Sequence, residues 1–141
     1  MRRFIVLASV LVLFFFPVSS AFSENFSDQI VMYRLKDGGI KEIRDDFSIG
    51  GKIYADFMFL PNEKETSVEF RWINPLHKKE QVYFELVKSS MPPRKKTMVC
   101  WLLLQPSFPD KIIGSKFFGR WRLEIWVNSR CVAEKVFNVG N

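Results

Sequence analysis

Between Gly119 and Val139 the chain alternates apolar and polar side chains with a period of two, a habit that only an extended strand can use. Trp121, Leu123, Ile125 and Val127 alternate with Arg120, Arg122, Glu124 and Trp126. Successive side chains of a strand point to opposite faces, so the aliphatic set shares one sheet face and the charges share the other. Asn128 and Ser129 break the run with residues that tolerate a tight turn, and Val132, Phe137 and Val139 resume the apolar face. A β-hairpin therefore closes the chain.

The same period recurs upstream. Ile53, Ala55, Phe57 and Phe59 alternate with Tyr54, Asp56 and Met58, and the run stops at Pro61. Val68, Phe70 and Trp72 alternate with Glu69, Arg71 and Ile73 up to Asn74-Pro75, and Val82, Phe84 and Leu86 alternate with Tyr83, Glu85 and Val87. Strands spaced this closely and joined by short polar turns leave no room for a crossover helix, so an antiparallel sandwich is expected over a parallel sheet.

The remaining chain fits around these runs. Ile30 to Leu35 is the first regular stretch, Asp37-Gly38-Gly39 is a turn, and Ile40 to Ile43 forms a short strand or a single helical turn. Asp45-Asp46 and Gly50-Gly51 mark a second loop. Ser89 to Lys96, with Pro92-Pro93, crosses from one sheet to the other. Thr97 to Gln105 is nearly continuous in apolar residues, as for a strand covered on both faces, and 106–114 is a loop. The sum is an all-β sandwich of about seven strands. Its expected core is Ile53, Phe57, Phe59, Val68, Phe70, Trp72, Phe84, Leu102, Trp121, Leu123, Ile125 and Phe137.

Residues 1–23 do not belong to that domain, which occupies 24–141. Met1-Arg2-Arg3 is a basic start, Phe4 to Phe16 is apolar except for Ser9, and Pro17 to Ser23 is small and helix-breaking. This is the layout of a secretory signal peptide with cleavage near Ala21 or Ser23, which implies a periplasmic or secreted protein. An uncleaved membrane anchor is the alternative, but a bilayer core needs about 20 apolar residues and the run is shorter. Cleavage would leave no stable membrane span. Asn25-Phe26-Ser27 is a glycosylation-type triplet, relevant only in a host that has the machinery.

The formal charge of the whole chain is +6, and losing Arg2 and Arg3 brings it to +4. A nucleic-acid binder gathers positive charge more tightly, so no nucleic-acid partner is expected. His77-Lys78-Lys79 and Arg94-Lys95-Lys96 lie beside prolines and read as solvated turns, with a weak attraction to anionic lipid or polysaccharide left open.

Cys100 and Cys131 are the only cysteines. In an exported chain an even count permits a disulfide, which would contribute roughly 3 to 4 kcal/mol by the chain-entropy argument. Equally, Cys100 suits an apolar core and Cys131 a thiol beside a turn. His77 is the only histidine and has no companions at metal-ligand spacing. No Gly-x-Ser-x-Gly elbow or phosphate-cradling motif occurs, so no catalytic residue, metal or cofactor is assigned.

One constellation is useful without being catalytic. If the strands around Arg71 and Glu124 are neighbours, Glu69 and Arg71 share an outward face with Arg120, Arg122, Glu124 and Trp126. Arg71, Arg120, Arg122 and Trp126 are the candidate partner-contact residues. Trp126 stands out among the charges, and either meets a partner or is covered by a loop or by the N-terminal segment.

Ile53-Tyr54, Val68-Glu-Phe-Arg-Trp72, Gly119-Arg-Trp-Arg-Leu-Glu-Ile125 and Phe137-Asn-Val139 together resemble a group of exported bacterial immunoglobulin-like β-sandwich domains. Those domains carry an Arg-Trp pair on a middle strand, a Gly-x-Trp strand and a closing Phe-x-Val. The resemblance implies a non-catalytic periplasmic or envelope domain. This chain departs from the pattern with Asn128-Ser129-Arg130, where Asp/Asn-Gly is commoner, and with its two cysteines, which fall on late strands. The resulting expectation is a binding or assembly module of the bacterial envelope, with an envelope protein or polysaccharide as partner. The alternatives are a small hydrolase using Cys131 or a serine with His77, and a membrane-anchored structural protein.

Overall fold

A computed structural model describes residues 29–61, 63–104 and 117–140. The expected signal peptide, the Asn25-Phe26-Ser27 triplet and the 106–114 loop lie outside the described residues. Nine strands are present among those described: β1 (Ile30–Leu35), β2 (Lys41–Ile43), β3 (Asp46–Ser48), β4 (Lys52–Phe59), β5 (Glu65–Ile73), β6 (Lys79–Lys88), β7 (Lys96–Leu103), β8 (Gly119–Val127) and β9 (Arg130–Gly140). They form two sheets, one ordered β2-β1-β4-β7 and the other β3-β9-β8-β5-β6. No helix among the described residues is long and apolar enough to cross a membrane.

The pairing is that of an immunoglobulin-like sandwich. β4 pairs with β7 in one sheet, while β5 pairs with β8 and β8 with β9 in the other. These are the B–E, C–F and F–G neighbours of that fold. Both inner faces follow the expected parity. Ile53, Ala55 and Phe57 of β4 face Val68, Phe70 and Trp72 of β5 and Trp121, Leu123 and Ile125 of β8, all fully buried. Phe137 joins them with its ring 5.8 Å from Trp72 edge-on and 6.0 Å from Trp121 in a stack. Each such side chain contributes roughly 1.5 to 3 kcal/mol by leaving water, which is why the parity and not the loops fixes the fold.

The closing hairpin turns at Asn128 and Ser129, both left-handed with φ of 47° and 65°. That geometry matches the right-handed twist of the flanking strands. Asn128 Oδ1 accepts from the Ser67 N–H at 3.0 Å, tying the turn to β5.

Several expectations need correction. Two short strands add to the seven foreseen, β2 within 40–43 and β3 in place of part of a loop. β3 pairs in parallel with β9, because the chain has by then crossed to the other sheet. Phe84 is not in the core. The β5–β6 register sets Thr66 opposite Val87 and Phe70 opposite Tyr83, so Val82, Phe84 and Leu86 point outward with 47%, 57% and 53% of their surface exposed. Nor is β7 covered on both faces: Met98, Cys100 and Leu102 are buried while Val99, Trp101 and Leu103 are exposed, since β7 is the edge of its sheet. Finally, Cys100 and Cys131 are both free. Cys100 is buried on β7 and Cys131 is exposed at the start of β9 in the other sheet, so the disulfide left open by the sequence is not formed.

Candidate functional site

Strands β5 and β8 are neighbours as expected. Glu69 lies opposite Trp126, Arg71 opposite Glu124 and Ile73 opposite Arg122. The register thus gathers Glu69, Arg71, Arg122, Glu124 and Trp126 on the outer face of the five-stranded sheet.

Most of this cluster is satisfied internally. The Arg71 guanidinium sits 3.9 Å from the centre of the Trp126 ring and pairs through Nε with Glu69. Neither a loop nor the N-terminal segment is needed to cover Trp126, since Arg71 does so. The Trp126 indole N–H donates to Glu124 Oε2 at 2.9 Å. Arg122 Nε donates to the other oxygen of Glu124 at 2.9 Å, and Glu134 approaches the same guanidinium at 3.6 Å. Hydrogen bonding from Arg71 holds the Glu69 carboxyl below the usual carboxylate range, and the same bond raises Arg71. Three of the four candidate contact residues are therefore committed to this network.

Arg120 is different. It is exposed at the start of β8 and has no ion-pair partner among the described residues. It lines a concavity of about 420 Å³ with Arg122, His77, Pro75, Val136 and Glu134, whose walls also include Ile73, Asn74 and Trp121. The pocket lies between the outer face and the β5–β6 turn.

That turn is built by Asn74, which is 4% exposed. Its Oδ1 accepts the N–H groups of Leu76 at 2.9 Å and Lys78 at 3.0 Å, and its Nδ2 donates to Glu80 Oε2 at 3.0 Å. The Asn74 backbone closes the loop, with its N–H on the Lys78 carbonyl and its carbonyl accepting His77 N–H, both at 2.9 Å. The clamp holds His77 at φ 58°, a left-handed conformation that costs of order 1 kcal/mol or more in a residue with a Cβ. Opposite the turn, the Trp121 indole donates to the Phe117 carbonyl at 2.7 Å, so the aromatic wall is also fixed.

Sequence reasoning placed Arg120 and Arg122 on one face but read His77 as a solvated turn residue. The structure brings all three together. It does not bring His77 to Cys131. Cys131 pairs with Trp126, four to six residues along β8 from the pocket arginines, a separation of roughly 13 to 20 Å at strand rise. The Cys131 thiol is also pushed up, by burial first and then by Glu124 and Glu134, so it is not an activated nucleophile. Burial likewise pushes the Cys100 thiol up. No described serine hydroxyl bonds the His77 imidazole. Among the described residues no group of three or more His, Cys, Asp or Glu could hold a metal ion.

On the outer face of the other sheet, Tyr33 donates to Asp56 at 2.8 Å and Lys41 pairs with the same carboxylate at 2.6 Å. Lys52 lies 4.3 Å from the centre of the Trp101 ring. These contacts stiffen a surface whose apolar members, Met58, Val99, Trp101 and Leu103, remain exposed.

No family model matches the chain, and no curated protein matches its sequence. Among solved structures it is similar to the alkylpurine DNA glycosylase AlkC of Pseudomonas fluorescens bound to DNA containing an abasic-site analogue, at 10% identity and a TM-score of 0.46. That match spans 80% of this chain and 31% of the glycosylase chain. An immunoglobulin-like protein of Pseudomonas aeruginosa is similar at 14% identity and a TM-score of 0.44, over 82% of this chain and 95% of that one. The fold assignment made above stands on the strand order itself.

Proposed function

We propose that this chain is a non-catalytic, exported binding module of a bacterial cell envelope that holds an acidic group of its partner in the Arg120 pocket. The observation that carries the reading is a guanidinium without an ionic partner among the described residues, set over a concavity whose apolar walls are Ile73, Pro75, Trp121 and Val136 and whose one carboxylate, Glu134, is paired with Arg122. A guanidinium offers a planar fork of donors that fits a carboxylate with two parallel bonds. The apolar walls lower the local dielectric and suit the body of a sugar ring or a short side chain. A concavity of about 420 Å³ is of the right size for one such unit. Export is supported by the basic and apolar N-terminus, and an envelope offers both candidate sources of the group, uronic-acid polysaccharide and protein.

The test is a titration of the purified protein with a glucuronic-acid disaccharide and, separately, with an acidic tetrapeptide, following the Trp121 indole N–H by NMR. One of them should produce a saturable shift, and Arg120→Ala should weaken that binding about tenfold or more, the worth of one charge-assisted bond. A saturable shift with the disaccharide identifies the polysaccharide, and one with the peptide identifies a protein partner. No shift with either probe, or an unchanged dissociation constant in the Arg120→Ala protein, would overturn the proposal.

A further inference from the structure

We infer that β6 is the interface of a homodimer, in which two copies of this chain pair β6 with β6 in antiparallel fashion about a two-fold axis at Phe84. This surface is separate from the Arg120 pocket and does not depend on it.

Among the described residues the five-stranded sheet ends at β6, which pairs there with β5 alone. It is ten residues long, and most of its side chains are exposed on both faces, Val87 being the one buried residue. A long, open and apolar edge strand is a template for another strand, and folded proteins ordinarily blunt it. Here the outward row is Val82, Phe84 and Leu86, each about half exposed.

The backbone faces the same way. Ser89 N–H donates to the Lys64 carbonyl on the β5 side at 3.1 Å. By the alternation of an antiparallel ladder, the N–H and C=O groups of Val82, Phe84, Leu86 and Lys88 point to the open edge, while Glu80 is the extra residue of a bulge opposite Trp72 and Ile73. The Lys88 carbonyl already accepts from Lys96 Nζ and the Gln81 side chain reaches the Trp101 carbonyl at 2.9 Å. Both contacts leave the central residues free.

The charges then choose the register. With the axis at Phe84, Phe84 meets its own copy, Val82 meets Leu86, Tyr83 meets Glu85, and Lys88 lies beside the exposed, bulged Glu80 of the second copy at both ends of the ladder. The apolar row is closed by two opposite-charge pairs. Tyr83, whose hydroxyl donates to Glu85 of its own chain at 2.8 Å, gains the same acceptor across the axis. Moving the axis to Tyr83 sets Glu80 against Leu86. Moving it to Glu85 sets that carboxylate against itself and Val82 against Lys88. An axis between residues would put outward against inward side chains, which a continuous sheet forbids. Only the Phe84 register matches apolar to apolar and charge to opposite charge, as a self-complementary two-fold interface requires.

The test is sedimentation equilibrium of the chain, purified after expression from its full-length reading frame, from roughly 1 µM to about 500 µM, bracketing the affinity of an interface of this modest size. The mass should rise from one copy to two. Glu80→Lys and Lys88→Glu should each weaken the dimer about tenfold or more, because each places like charges opposite one another twice per dimer. The double variant Glu80→Lys/Lys88→Glu should recover it. Circular dichroism identical to that of the native chain would show that each exposed-site variant still folds. A monomer throughout the range would overturn the inference. So would a dimer indifferent to the single changes, or one that the double change fails to restore.

Discussion

Replacing Asn74 with Ala removes the centre of the β5–β6 turn, and the loss can be worked from its bonds. Two backbone N–H groups, those of Leu76 and Lys78, lose the same acceptor, and Glu80 loses the Nδ2 donor. At about 1 kcal/mol net for each N–H bond and a few tenths for the exposed contact to Glu80, the cost is about 2.5 kcal/mol. The side chain is small, so the cavity left behind adds little. Asn74→Asp separates the terms. It keeps the acceptor for both N–H groups but loses the donor and faces Glu80 with a like charge, so a cost of about 1 kcal/mol is expected. Guanidinium unfolding followed by tryptophan fluorescence reads both variants, and an unchanged m-value certifies that the change lies in the folded state. If Asn74→Ala costs under about 0.5 kcal/mol, or Asn74→Asp costs as much as Ala, the turn is not held by this side chain. The same variant also tests the pocket wall, because the Asn74 side chain braces the turn on either side of His77 through Leu76 and Lys78, while the backbone bond from His77 to Asn74 remains.

Three further outcomes are expected. Ser129→Gly should stabilise the protein by about 0.5 to 1 kcal/mol, because Ser129 holds a φ of 65° that glycine adopts without a Cβ penalty; a chemical denaturation midpoint checks it. Iodoacetamide at pH 8 should label Cys131 slowly relative to a free peptide thiol and leave Cys100 unlabelled until denaturant is added, since burial raises both thiols and hides the second; mass spectrometry distinguishes them. Glu69 has its carboxyl lowered in the folded state by Arg71, so its contribution is complete above the unfolded carboxylate value of 4.5 and is lost as pH falls through the lowered value. Stability measured from pH 6 down to pH 3 should therefore fall less steeply in Glu69→Gln than in the native protein.

The inner layers were legible because parity decides them. Wherever apolar residues alternate over four or more positions and both neighbours are strands, one face must be buried, and β4, β5, β8 and β9 obey. β6 and β7 share the pattern and break the inference, for a reason that parity alone does not contain. Val82, Phe84 and Leu86 form the more apolar of the two faces of β6, yet the pairing of Thr66 with Val87 turns them outward. Both strands are sheet edges: β6 is open on nearly all of both faces, while β7 buries Met98, Cys100 and Leu102 and leaves its outer face open. Thr97 to Leu103 is apolar on both faces, which reads as burial although Val99, Trp101 and Leu103 lie at the edge. β3 was hidden for the opposite reason. Its three residues, Asp46, Phe47 and Ser48, carry a single apolar side chain, too short a signal for any period, and the pairing with β9 spans some ninety residues of chain.

For the candidate site the same parity reaches further than residue types do. Glu69 with Arg71 and Arg122 with Glu124 are opposite charges two positions apart, hence neighbours on one face of one strand, and each pair closes on itself. Arg120 has Arg122 and not a carboxylate two positions on, so the strand that neutralises its neighbours leaves it over. That much follows from reading β8 alone. What does not follow is the wall opposite. Pro75 and His77 reach Arg120 only because the β5–β6 turn folds over the end of β8, and Asn74 dictates that fold with bonds to residues two and four positions later. An asparagine before a proline announces a turn. Which side of the sheet the turn covers depends on β5 lying beside β8, a contact between residues about fifty apart. The spare charge is thus a local property of the sequence, while the pocket that gives it a use is a property of the sheet order.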